Sequence, residues 1–249
     1  MYMKGVRLRM KNSTPGPVAY HDALAGDWND RYCRGGFARR ERFVAREILP
    51  ILPSDGLWLD VGCGSGTFSR MLLQGGRHVV GVDASAKMLK EATQRAGNSA
   101  GRLSFQDVET AEALPFPARQ FEGVICFSVL EYLERPDVAL AEMTRVLKPG
   151  GTLAFSVPHR LSALRRAQSF YGRFRRQPDS GHAGYLAFSR FSSVPEEIEE
   201  KIGRLEMTLQ KSLGFDPFVP RRVHWMLKPS LIYVVCEKLR EPPLLSGQP

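Results

Sequence analysis

Two kinds of hydrophobic pattern alternate along this chain. Continuous apolar runs occur at Leu57–Val61, at 78–83, at Phe121–Phe127 and at 153–157, and a shorter alternating run spans 103–109. Runs of this length bounded by glycine, proline or acidic residues read as parallel strands buried on both faces. Between them lie segments whose apolar residues recur three and four apart, which read as helices. A helical signal begins near Asp22. A second helix is expected from Phe37 to Leu52, with Phe43, Val44, Ile48 and Leu49 on its apolar face and Pro50 near its end. Others are expected from Phe68 through Leu73, from the N-cap Ser85 to Ala96, and from Pro136 to Leu147, stopped by Pro149-Gly150-Gly151. Ser193-x-x-Glu196 is a capping-box pattern, predicting a helix through Ile198, Ile202, Leu205 and Leu209 that ends at Leu213-Gly214-Phe215. Two final strands are expected at about 216–226 and 230–238, broken by Lys228-Pro229. Strands alternating with helices predict a doubly wound α/β domain.

At 249 residues the chain suits one such domain. Residues 1–18 are expected to be a flexible basic arm, 19–240 a single domain with an insertion at about 158–194, and 241–249 a flexible tail. No run approaches the roughly 20 apolar residues that would span a bilayer, and the basic N-terminus lacks the apolar centre of a secretory signal. Cys33, Cys63, Cys126 and Cys236 lack metal-site spacing, and three of them fall in or beside apolar strands. That usage points to reduced thiols and a cytoplasmic protein, with no metal site expected. The formal net charge of +9 admits an anionic substrate, an acidic partner or simple solubility.

The chemistry concentrates after the first strand, where Gly62, Gly64 and Gly66 precede a helix. Strand, glycine turn and helix let a ligand approach bare backbone at the end of a sheet. The spacing is G-x-G-x-G, unlike the dinucleotide fingerprint, whose third glycine position is Thr67 here. Asp60 stands two residues before the first glycine. Asp83 ends the second strand, where a carboxylate can accept hydrogen bonds from both hydroxyls of a ribose.

With D-V-G-C-G-S-G at 60–66 and G-V-D-A-S at 81–85, the chain resembles the class I S-adenosylmethionine-dependent methyltransferases. Within that class it looks like the small-molecule enzymes of the ubiquinone-biosynthesis type. Leu114-Pro115-Phe116 and Leu147-Lys148-Pro149-Gly150-Gly151 match further family turns in register. The resemblance implies a mostly parallel seven-stranded sheet whose last strand inserts antiparallel, an N-terminal helical lid, an insertion after the fifth strand, and S-adenosylmethionine as cofactor. Around that cofactor it implies Asp60, Gly62, Cys63, Gly64 and Gly66; Asp83, Ala84 and Ser85; Met88 on the adenine ring; Gln106, Asp107 and Val108 at the adenine edge; and Phe127, Ser128 and Val129. Trp28 and Tyr32 would shield it from water, and Arg42 would pair with its carboxylate. The family's F-D and E-H pairs are replaced by Phe121-Glu122 and Glu131-Tyr132, which puts a borrowed catalytic histidine in doubt.

Residues 158–194 carry seven arginines, Arg160, Arg165, Arg166, Arg173, Arg175, Arg176 and Arg190, interleaved with aromatics. Following the fifth strand, this stretch emerges at the carboxyl edge, where it reads as a cap favouring an anionic group. Candidates for a base are His159, His182, Glu131 and Tyr132. The expected function is methyl transfer to oxygen or nitrogen of a small, anionic metabolite, with nucleic acid not the expected partner. An RNA or protein methyltransferase and a catalytically silent partner subunit of the same fold are the alternatives.

Overall fold

The computed structural model describes residues 16–28, 30, 35–97, 99, 101–167 and 188–240. Strands β1 (Leu57–Val61), β2 (His78–Asp83), β3 (Leu103–Asp107), β4 (Phe121–Phe127), β5 (Leu147–Pro158), β6 (Met207–Phe215) and β7 (Leu231–Lys238) form one sheet. Its order is β3-β2-β1-β4-β5-β7-β6, and β7 alone runs antiparallel to its neighbours. The helices are α1 (Pro17–Leu24), α2 (Gly35–Phe43), α3 (Thr67–Gln74), α4 (Ala86–Ala96), α5 (Pro136–Val146) and α6 (Pro195–Arg204). None among the described residues is long and apolar enough to cross a membrane.

The strands are continuously apolar because each packs a core on both faces. Leu59, Val61, Val124 and Phe155 face α5 and α6, meeting Leu140, Met143, Ile198 and Ile202. Their chain neighbours Trp58, Ile125 and Ala154, with Tyr233 of β7, face the other way, onto Val44, Ile48, Phe68 and Leu72. Successive side chains in a strand point to opposite faces, so each strand feeds both layers. Trp58 is fully buried and lies where a side chain at Gly123 would stand, 2.4 Å from its indole. The glycine therefore makes room for the largest residue of the core.

Chain order reverses between β1 and β4, leaving a crevice at their carboxyl ends. At the opposite end Glu122 ties three segments together. Its carboxylate accepts from the Leu57 amide at 2.7 Å and pairs with Lys148, which holds its pKa below the usual range although burial opposes this.

Several expectations are corrected. The N-terminal helix begins at Pro17, whose fixed φ suits a first helical turn, so it starts inside the expected arm. α2 continues as a wide turn over Val44–Ile48 and a tight one over Leu49–Ile51, where Pro50 interrupts the bonding. β5 starts at Leu147, and Lys148 to Gly151 form a bulge within it, Gly150 taking φ +77°. α6 stops at Arg204 because Glu206 adopts φ +55°, and the chain turns into β6. Leu205 and Leu209 continue the helical spacing by coincidence, while Met207, Leu213 and Phe215 obey a two-residue period. Val194, not Ser193, is the N-cap, and the Ser193 hydroxyl bonds Glu197 instead. Residues 216–226 form a loop, not a strand. Asp216 anchors it, accepting from the amides of Phe218 and Val219 at 2.8 and 2.9 Å and from Ser230 at 3.1 Å.

Candidate active site

A cavity of about 650 Å³ opens in the crevice, within the range of roughly 300–1,000 Å³ typical of small-molecule sites. Its floor is the turn after β1. Gly62, Gly64 and Gly66 all take positive φ, between +53° and +75°, a region costly to residues with a Cβ. At Gly62 a Cβ would lie 2.1 Å from Val129, whereas at Gly64 it would meet only Trp28 Nε1, at 3.9 Å. The Gly62 and Cys63 amides both donate to the Val82 carbonyl, at 2.8 and 2.9 Å. The turn thus satisfies its own amides and offers the ligand room.

Asp83 faces this floor. One carboxylate oxygen accepts from the Gly64 amide and the other from the Ser85 amide, each at 2.8 Å. These bonds fix the carboxylate and leave further lone pairs toward the cavity. Burial raises its pKa, opposed by the two amides and by His21. Ser85 caps α4 by accepting from the Met88 amide at 3.1 Å and donates to Asp22 of α1 at 2.5 Å. Met88 and Val108 line the wall beyond.

α1 and the residues after it cover one side. His21 packs against Trp28 and Tyr132 at centroid separations of 5.2 and 5.5 Å, and Trp28 packs on Phe37 at 5.8 Å. Trp28 Nε1 lies 3.9 Å from where a Gly64 Cβ would be, so the indole stands over the glycine turn. On the far side Arg40 enters from α2, buried. Its Nε donates to the Tyr233 hydroxyl at 2.5 Å, and its guanidinium lies over Phe68, 5.2 Å from the ring centre.

The least exposed ionisable group of the lining is Glu131, 1% exposed. It lies in a tight turn after β4, behind Ser128, which takes φ +58°. One of its carboxylate oxygens, Oε2, is buried without a hydrogen-bond partner. Burial raises its pKa, with Arg165 the largest opposing influence, followed by the local backbone and Arg40. Arg165 reaches the cavity from a helical turn after β5, where its amide bonds the Ser162 hydroxyl.

The lining unites Trp28, Gly62, Cys63, Gly64, Asp83, Ala84, Ser85, Met88, Val108, Phe127, Ser128, Val129, Glu131 and Tyr132. Asp60 lies beneath it, accepting from the Ser69 hydroxyl at 2.6 Å, with its pKa pushed up to about 7 chiefly by burial. Gly66 packs against Phe105 and Ala92 at the base of α3. Gln106 and Asp107 are exposed and outside the lining, and the Val108 amide donates to the Asp83 carbonyl at 3.1 Å. Tyr32 and His182 lie outside the described residues.

Two expected positions are corrected. Arg42 is exposed and bonds its own helix at the Ala38 carbonyl. Arg40 turns inward because it shares a helix face with the buried Val44 and Ile48. His159 does not line the cavity. It is buried between β5 and the loop before β7, where its Nδ1 accepts from the Leu161 amide at 3.1 Å and burial lowers its pKa. Among the insertion's described arginines, Arg160 pairs with Glu197 and Arg190 with Glu134 at the surface, while Arg165 alone faces the cavity. Arg173, Arg175 and Arg176 lie outside the described residues. His21, Phe37, Phe215 and Phe218 join the lining without any local sequence signal, since distant segments deliver them.

Residues 59–155 match the family described as the methyltransferase domain. With the glycine turn and Asp83 inside the matched segment, the chain resembles the class I S-adenosylmethionine-dependent methyltransferases. The chain is 31% identical over 155 residues to a ubiquinone biosynthesis O-methyltransferase of Idiomarina loihiensis, covering 60% of this chain and 63% of that protein. It is 36% identical over 128 residues to a malonyl-[acyl-carrier protein] O-methyltransferase of Pectobacterium atrosepticum, covering 50% and 48%. Across eight such relatives the match spans 45% to 67% of their own length. The fold also matches magnesium protoporphyrin IX methyltransferase from Synechocystis, solved with bound S-adenosylhomocysteine, at TM-score 0.65 and 19% identity over 88% of this chain and 96% of that one. The residues here fit the cofactor of the domain: glycines that leave space, a fixed carboxylate at the tip of β2, and an apolar wall beyond it.

Proposed function

We propose that this protein methylates an oxygen of a small acceptor bearing an anionic group, with Glu131 as the general base. The observation that carries this is the buried Glu131 carboxyl, which borders the cavity with one oxygen unpartnered. An amine acceptor needs only to arrive deprotonated, whereas a hydroxyl must lose its proton as it attacks, and a carboxylate of raised pKa is suited to take it. The names of the two curated relatives, both O-methyltransferases, support oxygen. Arg165 beside Glu131 supports an anionic acceptor.

S-adenosylmethionine supplies a methyl group on a positively charged sulfur. The chain's own residues do the rest. Of the residues lining the cavity, Asp83 would accept from the ribose hydroxyls, Met88 and Val108 would flank the adenine, and Arg40 would meet the cofactor's carboxylate. His21, Trp28, Phe37 and Tyr132 close over the site and exclude water, which strengthens each charge inside it. Glu131 takes the acceptor's proton, and Arg165 orients the acceptor through its anionic group.

The test is methyl transfer from labelled S-adenosylmethionine to a panel of phenols, hydroxybenzoates, carboxylic acids and amines. Glu131→Gln should lower kcat by roughly 100-fold or more, the scale of a lost general base, with affinity for S-adenosylhomocysteine unchanged. In the wild type, kcat/KM should rise with pH through a limb above the ordinary glutamate range, because the ionised carboxylate is the active form. Full activity in Glu131→Gln, or amines methylated in preference to hydroxyls, would overturn the assignment.

A further inference from the structure

The loop between β6 and β7 shows the solvent an unusual surface. Phe218, Trp225, Met226 and Leu227 are 63%, 77%, 60% and 41% exposed. Six of the nine large apolar side chains exposed among the described residues lie at the carboxyl edge: these four, Val18 on the cavity rim and Leu161 just after β5. Scattered exposed apolar residues are ordinary, but a cluster on one rim marks an interaction surface.

The loop is firmly built. Asp216 holds both of its ends, the Met226 and Leu227 amides bond the Val223 carbonyl at 3.0 and 2.8 Å, and His224 Nε2 lies 3.0 Å from the Val219 carbonyl. Trp225 and Met226 thus project from an internally bonded turn. Within the loop the formal charge has one sign. Residues 217–230 contain Arg221, Arg222 and Lys228 and no acid. Arg221 is taken by Glu47 of the turn after α2, which ties the loop to that helix. Arg39 of α2 lies over Phe218, 5.7 Å from the ring centre, and its Nη1 donates to the Pro217 carbonyl at 2.5 Å. Arg42 on the same helix and Arg46 in the turn after it are exposed.

We propose that this loop docks the protein on an anionic phospholipid bilayer. Trp225 and Met226 would enter the headgroup boundary, while Arg222, Lys228 and the α2 arginines would meet the phosphates. An amphipathic indole tip, apolar neighbours and flanking cations without acids is the chemistry of an interfacial anchor. A protein partner of ordinary composition brings both signs of charge, whereas the loop at 217–230 offers cations and no acid. Phe218 and Pro217 line the cavity as well as belonging to the loop, so a docked molecule would open its cavity beside the lipid. The docking surface is separate from the methyl-transfer reading, because it is assayed without cofactor or acceptor and either can fail alone.

The experiment is co-sedimentation with vesicles of phosphatidylcholine, with and without phosphatidylglycerol, at low and high salt, together with tryptophan emission. The wild type should bind the phosphatidylglycerol vesicles, less at high salt, with a blue shift that Trp225→Ser abolishes. Trp225→Ser with Met226→Ser should weaken binding at least roughly tenfold, and Arg222→Gln with Lys228→Gln should remove the preference for anionic lipid. Both pairs should keep wild-type thermal unfolding and S-adenosylhomocysteine affinity, because the side chains are exposed. No vesicle binding by the wild type would overturn the proposal, and so would equal binding by the variants. A wild-type oligomer that Trp225→Ser with Met226→Ser dissociates, with no vesicle binding, would assign the patch to self-association and also overturn it.

Discussion

Asp83 and the glycines before it show how much a single side chain, or its absence, decides in this site. Asp83 holds the Gly64 and Ser85 amides and still faces the cavity. Asp83→Ala should therefore weaken S-adenosylhomocysteine binding about tenfold or more by calorimetry, since a charged hydrogen bond is worth about 1.5–3 kcal/mol. Unchanged affinity in a folded variant would remove Asp83 from the site. The glycines separate packing from strain. Gly62→Ala would drive a methyl into Val129 at φ +72°, so it should unfold at a temperature lower by many degrees. Gly64→Ala, at φ +53°, meets only the Trp28 indole at an ordinary contact distance of 3.9 Å. It should cost only the roughly 1–3 kcal/mol of a left-handed residue and act mainly on cofactor binding. Equal loss of thermal stability in the two would contradict this account.

For an element, phase matters more than identity. α2 carries Arg39, Arg40 and Arg42 close together, and the helix rotation buries Arg40 against Phe68 and Tyr233 while Arg42 stays in water. Arg40→Ala should destabilise the fold by about 2–3 kcal/mol, having lost a charged hydrogen bond and the packing of its stem. Arg42→Ala should fall within roughly 0.5 kcal/mol of wild type. Denaturant unfolding of both checks the phase, and equal effects would refute it. The end of α6 teaches the reverse lesson. Leu205 and Leu209 fit a helix continuing from Ile202, yet the positive φ of Glu206 starts a strand whose pairing with β7 supplies the missing hydrogen bonds. Local periodicity could not foresee that choice, because β7 lies more than twenty residues further along the chain.

At the scale of the molecule, the crevice buries three carboxyls, Asp60, Asp83 and Glu131, and burial raises the pKa of each. Each holds its proton more tightly in the folded protein than in the unfolded chain. Their contribution to stability is therefore present in acid and is lost as pH rises through the folded values. For Asp60 that window runs from 3.8 to about 7. Asp60→Asn should gain stability relative to wild type across it, by at most roughly 4 kcal/mol, at about 1.4 kcal/mol per tenfold change in proton affinity. Thermal unfolding from pH 5 to 8 checks this, and a difference independent of pH would refute it. By itself the sequence determined the strand–helix alternation, the glycine turn, Asp83 and the capping Ser85, because these depend on residues within one turn or one strand of each other. It also placed Glu131 and Tyr132 beside the fourth strand, though not their exposure. Only the tertiary structure decided that Arg40 faces the cavity and that His159 is packed away from it. It likewise brought His21, Phe37, Arg165 and Phe218 to one rim and left Trp225 in solvent. Those outcomes depend on which distant segments share the carboxyl edge, and strand order, which no local pattern encodes, sets that.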